Sequence, residues 1–201
     1  VANGEEPVQV FTPSTSSTPG LALVPAGIAP PTVAATMTDG GSSGGLPAGN
    51  YVYLYCYASS QYPDVSADTT AGGFLWPKSN PSPVPTVYAN TANHKINVAV
   101  TTTTRPDIDK ILIYRNTNLA LTSITYAQIV AQAAQVFFVG FVNNNPAVAT
   151  VTFTDAVIAT QEEMEVDNFM APQFWKCVYL DPYWYGIGNP DLAVPVTIDA
   201  S

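Results

Sequence analysis

Tyr51-Val52-Tyr53-Leu54-Tyr55-Cys56-Tyr57-Ala58 carries the clearest strand signal in the chain. Tyrosines alternate with smaller apolar residues, and a strand sends successive side chains to opposite faces. The period is that of a β-strand with apolar character on both faces. The face of Val52, Leu54, Cys56 and Ala58 suits the core of a sandwich. The face of Tyr51, Tyr53, Tyr55 and Tyr57 suits a second contact, because each ring is apolar with a polar tip.

Working outward, the same pattern recurs. Lys95-Ile96-Asn97-Val98-Ala99-Val100 alternates as a strand, and Ile111-Leu112-Ile113-Tyr114-Arg115 reads as a central one. Val136-Phe137-Phe138-Val139-Gly140-Phe141-Val142 follows, closed by the turn residues Asn143-Asn144-Asn145-Pro146. Thr150-Val151-Thr152-Phe153-Thr154-Asp155 is the last strand of this set. Phe74-Leu75-Trp76 starts a short strand that Pro77 cuts, and Pro81, Pro83 and Pro85 keep the next stretch irregular. Between the strands, Leu121, Ile124, Ile129 and Ala133 fit a helical face, so one short helix is expected within 121–135. About seven short strands at regular spacing point to a sandwich over residues 48–160.

The flanks differ. Residues 1–47 are rich in Pro, Ser, Thr and Gly, which excludes a long helix or a central strand. Leu21-Ala22-Leu23-Val24 and Ile28 are apolar, so this stretch reads as an extended arm ordered by packing on a neighbour. Gly40-Gly41-Ser42-Ser43-Gly44-Gly45 has linker chemistry. After residue 160 comes an acidic connector with Glu162, Glu163, Glu165 and Asp167. Trp175-Lys176-Cys177-Val178-Tyr179-Leu180 and Tyr183-Trp184-Tyr185-Gly186-Ile187-Gly188 then read as a hairpin turning at Asp181-Pro182. Residues 161–201 are thus a connector and an aromatic hairpin that could open a further domain. The N-terminus lacks an initiator Met and the basic start of a signal peptide, which suggests processing or a segment of a longer chain.

Composition narrows the function. Of 201 residues only 10% are charged, against a usual ~25%. A surface rich in Thr, Ser, Asn, Ala and Tyr is suited to facing other protein. Net charge is −9 with six Lys and Arg, so no basic stripe exists for nucleic acid or an anionic membrane. The apolar runs fall short of the ~18–20 residues that a bilayer span needs. Cys56 and Cys177 lack a CxxC partner and read as two buried thiols, with a mutual disulfide as the alternative.

Little suggests catalysis. His94 is the single histidine and reads as a solvated loop residue with no nucleophile nearby. There is no Gly-x-Ser-x-Gly elbow, no phosphate-cradling loop and no dinucleotide fingerprint. Asp107 and Asp109 could in principle serve a glycosidase, but they flank a turn. The 162–167 carboxylates lack the spacing of a calcium loop. Tyr183, Trp184 and Tyr185 could stack on a sugar, though a core or subunit interface suits them better. No cofactor, metal or catalytic residue is expected.

Taken in order, several segments resemble the fibronectin-type-III-like domain found in bacteriophage tail and virion proteins. They are Ile28-Ala29-Pro30-Pro31, Leu46-Pro47-Ala48-Gly49-Asn50-Tyr51-Val52-Tyr53, Ile111-Leu112-Ile113-Tyr114-Arg115, Val136-Phe137-Phe138-Val139-Gly140 and Val151-Thr152-Phe153-Thr154-Asp155. Phe169-Met170-Ala171-Pro172-Gln173-Phe174-Trp175 and the following hairpin fit the place where the next domain begins in that family. The helical insertion and an Arg-poor hairpin depart from it. The resemblance implies an all-β, immunoglobulin/fibronectin-III-like β-sandwich that acts by self-assembly in a virion assembled in the host cytoplasm. Its partners would be copies of itself and other virion proteins. Within this reading Gly49 provides a tight turn before the first strand. Arg115 and Asp155 are a candidate surface pair worth ~0–1 kcal/mol. The candidate contact residues are Tyr51, Tyr53, Tyr55, Tyr57, Phe174, Trp175, Tyr183, Trp184 and Tyr185. The rival readings are a cellular extracellular filament or surface-layer subunit, a carbohydrate-binding adhesin module and, least favoured, a hydrolase.

Overall fold

The structure is a computed structural model. It describes the backbone of residues 9–13, 21–25, 27–42, 45–60, 76–145, 149–151, 161, 163–164, 166, 176–180 and 183–187. Side chains are described within 27–145 and at 161, 163, 164 and 166, at the positions just given. The strands in chain order are β1 (Gln9–Pro13), β2 (Leu21–Pro25), β3 (Thr36–Asp39), β4 (Gly49–Tyr51), β5 (Tyr53–Ala58), β6 (Tyr88–Asn90), β7 (Ile96–Ala99), β8 (Lys110–Asn116), β9 (Val136–Asn143), β10 (Ala149–Val151), β11 (Lys176–Leu180) and β12 (Tyr183–Ile187). One helix, α1 (Tyr126–Val130), interrupts them. Among the described residues the regular structure is therefore mostly strand, in small antiparallel sheets with little helix. Two three-stranded sheets have the orders β5-β8-β9 and β10-β7-β3; β4-β6, β1-β2 and β11-β12 form two-stranded sheets.

The 51–58 stretch is not one continuous strand. It changes partner at Val52: β4 pairs with β6, and β5 pairs with β8 from Tyr53↔Arg115 to Ala58↔Lys110. Asn116 holds the break. Its side-chain oxygen accepts from Val52 N at 2.8 Å, and its amide donates to Asn50 O at 3.0 Å and Asn118 O at 2.9 Å. A buried backbone group without a partner is costly, so an amide side chain replaces the ladder bonds lost at the break.

β5 and β8 are buried on both faces. The tyrosine face shares one cluster with Ile111, Ile113 and Val139 of its own sheet and with Ile96 and Val98 of β7. The face of Val52, Leu54, Cys56 and Ala58 packs instead under Trp76, Ile124, Ile129, Ala134 and Met164. Both faces are therefore core: that of Val52, Leu54, Cys56 and Ala58 as expected, and the tyrosine face as well. The tyrosines fill the space toward the β7 sheet, and the smaller residues lie under α1 and its flanking segments.

Between Ile113 and Tyr114 the β8–β9 register shifts, leaving Val139 as an extra residue that points into the tyrosine cluster. Gly140 follows at φ 153°, a conformation that favours glycine. Beyond the bulge Val142 faces the tyrosine cluster, while Phe141 stands edge-on to Trp76 on the other face.

The expected domain start at residue 48 is corrected. β3 pairs with β7 from Thr36↔Ala99 to Asp39↔Ile96, and Ile28, Ala35 and Leu46 belong to the tyrosine cluster. Ile28, Ala35 and Leu46 are thus core residues and β3 joins the β7 sheet, so the described part of 1–47 holds short strands and core contacts rather than lying wholly outside the fold. The helix is also shorter than the 121–135 pattern. Thr125 caps it in a capping box with Gln128, and Gln132 at φ 55° ends it. There Ala133 N donates to Gln128 O and Gln132 N to Ile129 O, which is the Schellman arrangement. Leu121 and Ile124 therefore reach the core from outside the helix.

Candidate functional site

Three of the four tyrosines of 51–57, Tyr51, Tyr55 and Tyr57, use their hydroxyls to hold loops. The rings span the cluster and three hydroxyls reach loop carbonyls beyond it. Tyr51 Oη donates to Pro47 O at 3.0 Å, Tyr55 Oη to Val33 O at 2.8 Å and Tyr57 Oη to Thr101 O at 3.0 Å. Tyr51 stacks on Tyr53, and Tyr55 meets Tyr57 edge-on. Tyr51, Tyr53 and Tyr55 have no exposure and Tyr57 has 8%. They are core residues of this chain, which corrects their reading as a surface for a neighbour. Burial first, then the neighbouring Tyr55, pushes the Tyr57 hydroxyl up to about 12.

Arg115 lies on the same inner face, fully buried, with its guanidinium 5.1 Å from the Tyr51 ring centre. The expected surface pair with Asp155 is corrected on this point, since Arg115 is not at the surface; Asp155 lies outside the described residues. Gly49 is already within β4. A Cβ there would come within 2.7 Å of Leu119 Cβ, and Asn50 N bonds Leu119 O at 2.9 Å. Close approach of another segment, rather than a turn, requires the glycine.

The groups that could do chemistry are engaged in holding loops. Asp107, 1% exposed, takes a two-bond fork from Arg105, Nε to Oδ1 at 2.6 Å and Nη2 to Oδ2 at 2.9 Å. Arg105 also donates to Gly27 O, tying the segment before β3 to this corner. Asp109 accepts from Ser60 N at 2.7 Å and from the Ser60 hydroxyl. His94 is half-buried rather than solvated, and its Nδ1 lies 2.9 Å from Asp39 Oδ1. Asp39 also accepts from Gly41 N at 2.8 Å. That backbone bond, and then His94, holds its carboxyl below the ordinary carboxylate range. Among the described residues no group of three His, Cys, Asp or Glu is placed to hold a metal ion. No helix among them is long and apolar enough to cross a membrane.

Of the C-terminal candidates, Phe174 and Trp175 lie outside the described residues. For Tyr183, Trp184 and Tyr185 the backbone alone is described. It places Trp184 opposite Tyr179 and Tyr185 opposite Val178 in the expected hairpin. Cys56 is buried; the Cys177 side chain lies outside the described set.

The structure presents other outward apolar groups instead. Val33 and Val130 are each 52% exposed, Phe141 42% and Tyr126 41%. Pro30, Pro31, Pro81, Pro83, Val84 and Tyr126 line an open apolar groove of about 510 Å³. A second groove, of about 440 Å³, runs between residues 33–37 and 85–88. Neither was legible in the sequence, because each joins a Pro-rich stretch to a distant one. No family model, curated protein or solved structure matches the chain.

Proposed function

We propose that this chain is a non-catalytic structural protein of a bacteriophage virion, in or beside the tail, and that it works by self-assembly. The fold we read for it is a β-sandwich of the immunoglobulin/fibronectin-III kind. The β5-β8-β9 sheet is one layer and the β10-β7-β3 sheet the other, with the tyrosine cluster between them. The observation that carries the reading is the order of the resembling segments: β4 with the start of β5, β8 and β9 fall on three of the five, and β10 reaches a fourth at Val151. The engagement of Asp39, His94, Asp107 and Asp109 in loop contacts supports a structural role over a hydrolytic one.

Sedimentation velocity of the purified chain over a wide concentration range tests this. The expected result is a species many times heavier than the 21.3 kDa chain. A single 21.3 kDa species at every concentration would overturn the proposal.

A further inference from the structure

We infer that the groove between residues 33–37 and 85–88 receives the β1-β2 hairpin of a second copy of this chain. The inference rests on the self-assembly reading above and specifies its contact.

The groove lies beside the start of two strands: Thr36 and Met37 of β3 and Tyr88 of β6 line it, together with the non-strand residues 33–35 and 85–87. β3 is the outer strand of β10-β7-β3, and β6 pairs on one side with β4. Among the described residues no strand pairs with the other side of either one. Such an edge presents backbone N–H and C=O groups that an added strand can bond. The groove's volume of about 440 Å³ leaves room for a short piece of extended chain. No Asp, Glu, Lys or Arg lines it.

The occupant must therefore be extended, uncharged and in need of a partner. Residues 7–38 contain no charged residue in a chain of net charge −9. Within them β1 and β2 pair with each other and with no other strand among the described residues. A two-stranded hairpin is marginal in water by itself, and this one includes Val10, Phe11, Leu21, Leu23 and Val24. Each of its strands has five residues, about 17 Å of extended chain, enough to pair with the two β3 residues that line the groove. A hairpin from one copy entering a groove on the next is a head-to-tail contact between unlike surfaces. Such contacts close into rings or continue as fibres.

The test uses the full chain with Cys177→Ser, so that buried Cys56 is the one remaining native thiol. One batch carries Leu23→Cys (and, in a parallel batch, Ala22→Cys, for the other face of β2). A second, isotopically heavy batch carries Thr36→Cys, an exposed position on β3. The batches are mixed, treated with a short bismaleimide and read by mass spectrometry, with sedimentation in parallel. The expected product is a heavy–light dimer joined between position 36 and position 22 or 23. Adding Ala34→Lys to the heavy batch, with an unchanged circular-dichroism spectrum, is expected to cut its yield at least ~10-fold by charging the groove. Assemblies that form without this bond would overturn the groove assignment and leave self-assembly standing. A monomer without the bond would overturn both. A bond found within single chains would show that the hairpin folds back on its own groove, and would also overturn the inference.

Discussion

Asn116 shows how this chain spends its neutral polar residues. Its side chain is 1% exposed and makes three bonds to backbone groups around the β4–β5 break. Asn144 does the same between loops, accepting from Thr103 N at 3.0 Å and donating to Thr103 O and Ile108 O. Low charge suggested a surface facing other protein, but part of the polar inventory faces inward. The few cations follow: Arg115 and Lys78 are buried, and Lys110 lies over the Phe141 ring. Asn116→Ala is expected to lower the unfolding free energy by about 1–3 kcal/mol in a urea titration, since it orphans the buried Val52 N–H and removes bonds to two part-buried carbonyls. Tyr57 gives a prediction in pH. Its hydroxyl is raised to about 12, while in the unfolded chain it titrates near ~10. The neutral hydroxyl thus contributes its full stability below pH ~10, and the contribution is lost as pH rises toward ~12. Tyr57→Phe loses the bond to Thr101 O at every pH. The stability gap between parent and variant is expected to narrow across pH 10–12; a constant gap would count against a buried neutral hydroxyl.

At the scale of elements, the outer edge of β5 explains a stretch that looked merely irregular. Ser79 N donates to Tyr57 O and Ser82 N to Tyr55 O, each at 2.9 Å. The two serine hydroxyls accept in return, from Tyr57 N at 3.0 Å and Tyr55 N at 3.3 Å. Prolines at 77, 81, 83 and 85 cannot donate, so the serines between them supply both donor and acceptor and close the edge. Replacing both serines with Ala is expected to cost about 1–3 kcal/mol and to speed hydrogen exchange at the Tyr55 and Tyr57 amides more than at Leu112. Alternation made β5 and β7 legible in the sequence, and continuous apolar runs did the same for β8 and β9. Alternation could not orient β5, because tyrosines on one face and Val, Leu, Cys and Ala on the other are both apolar. β3 was hidden because Thr36-Met37-Thr38-Asp39 is a mostly exposed edge strand with one half-buried apolar residue. The serine cover was hidden because its partners lie more than twenty residues away. Tyr51, Tyr53, Tyr55 and Tyr57 are contact candidates on the strength of that alternation alone, which does not distinguish a second core face from an interface; all four are core.

For the whole molecule, the described core begins by Ile28, and truncation tests whether anything before it is needed. Removing residues 1–26 keeps Ile28 and β3, and is expected to preserve the β circular-dichroism signal while weakening assembly. Removing 1–40 deletes a strand of the β10-β7-β3 sheet and the Ile28 and Ala35 contacts, and is expected to abolish cooperative unfolding. The same split separates folding from assembly in the proposed function, since the hairpin would serve the neighbour and β3 the chain itself. Electron microscopy of the purified full chain, concentrated under native conditions, addresses the central claim most directly. Rings, tubes or fibres with a regular subunit repeat are expected. A field of dispersed single chains, with no repeating contact at any concentration, would contradict that claim.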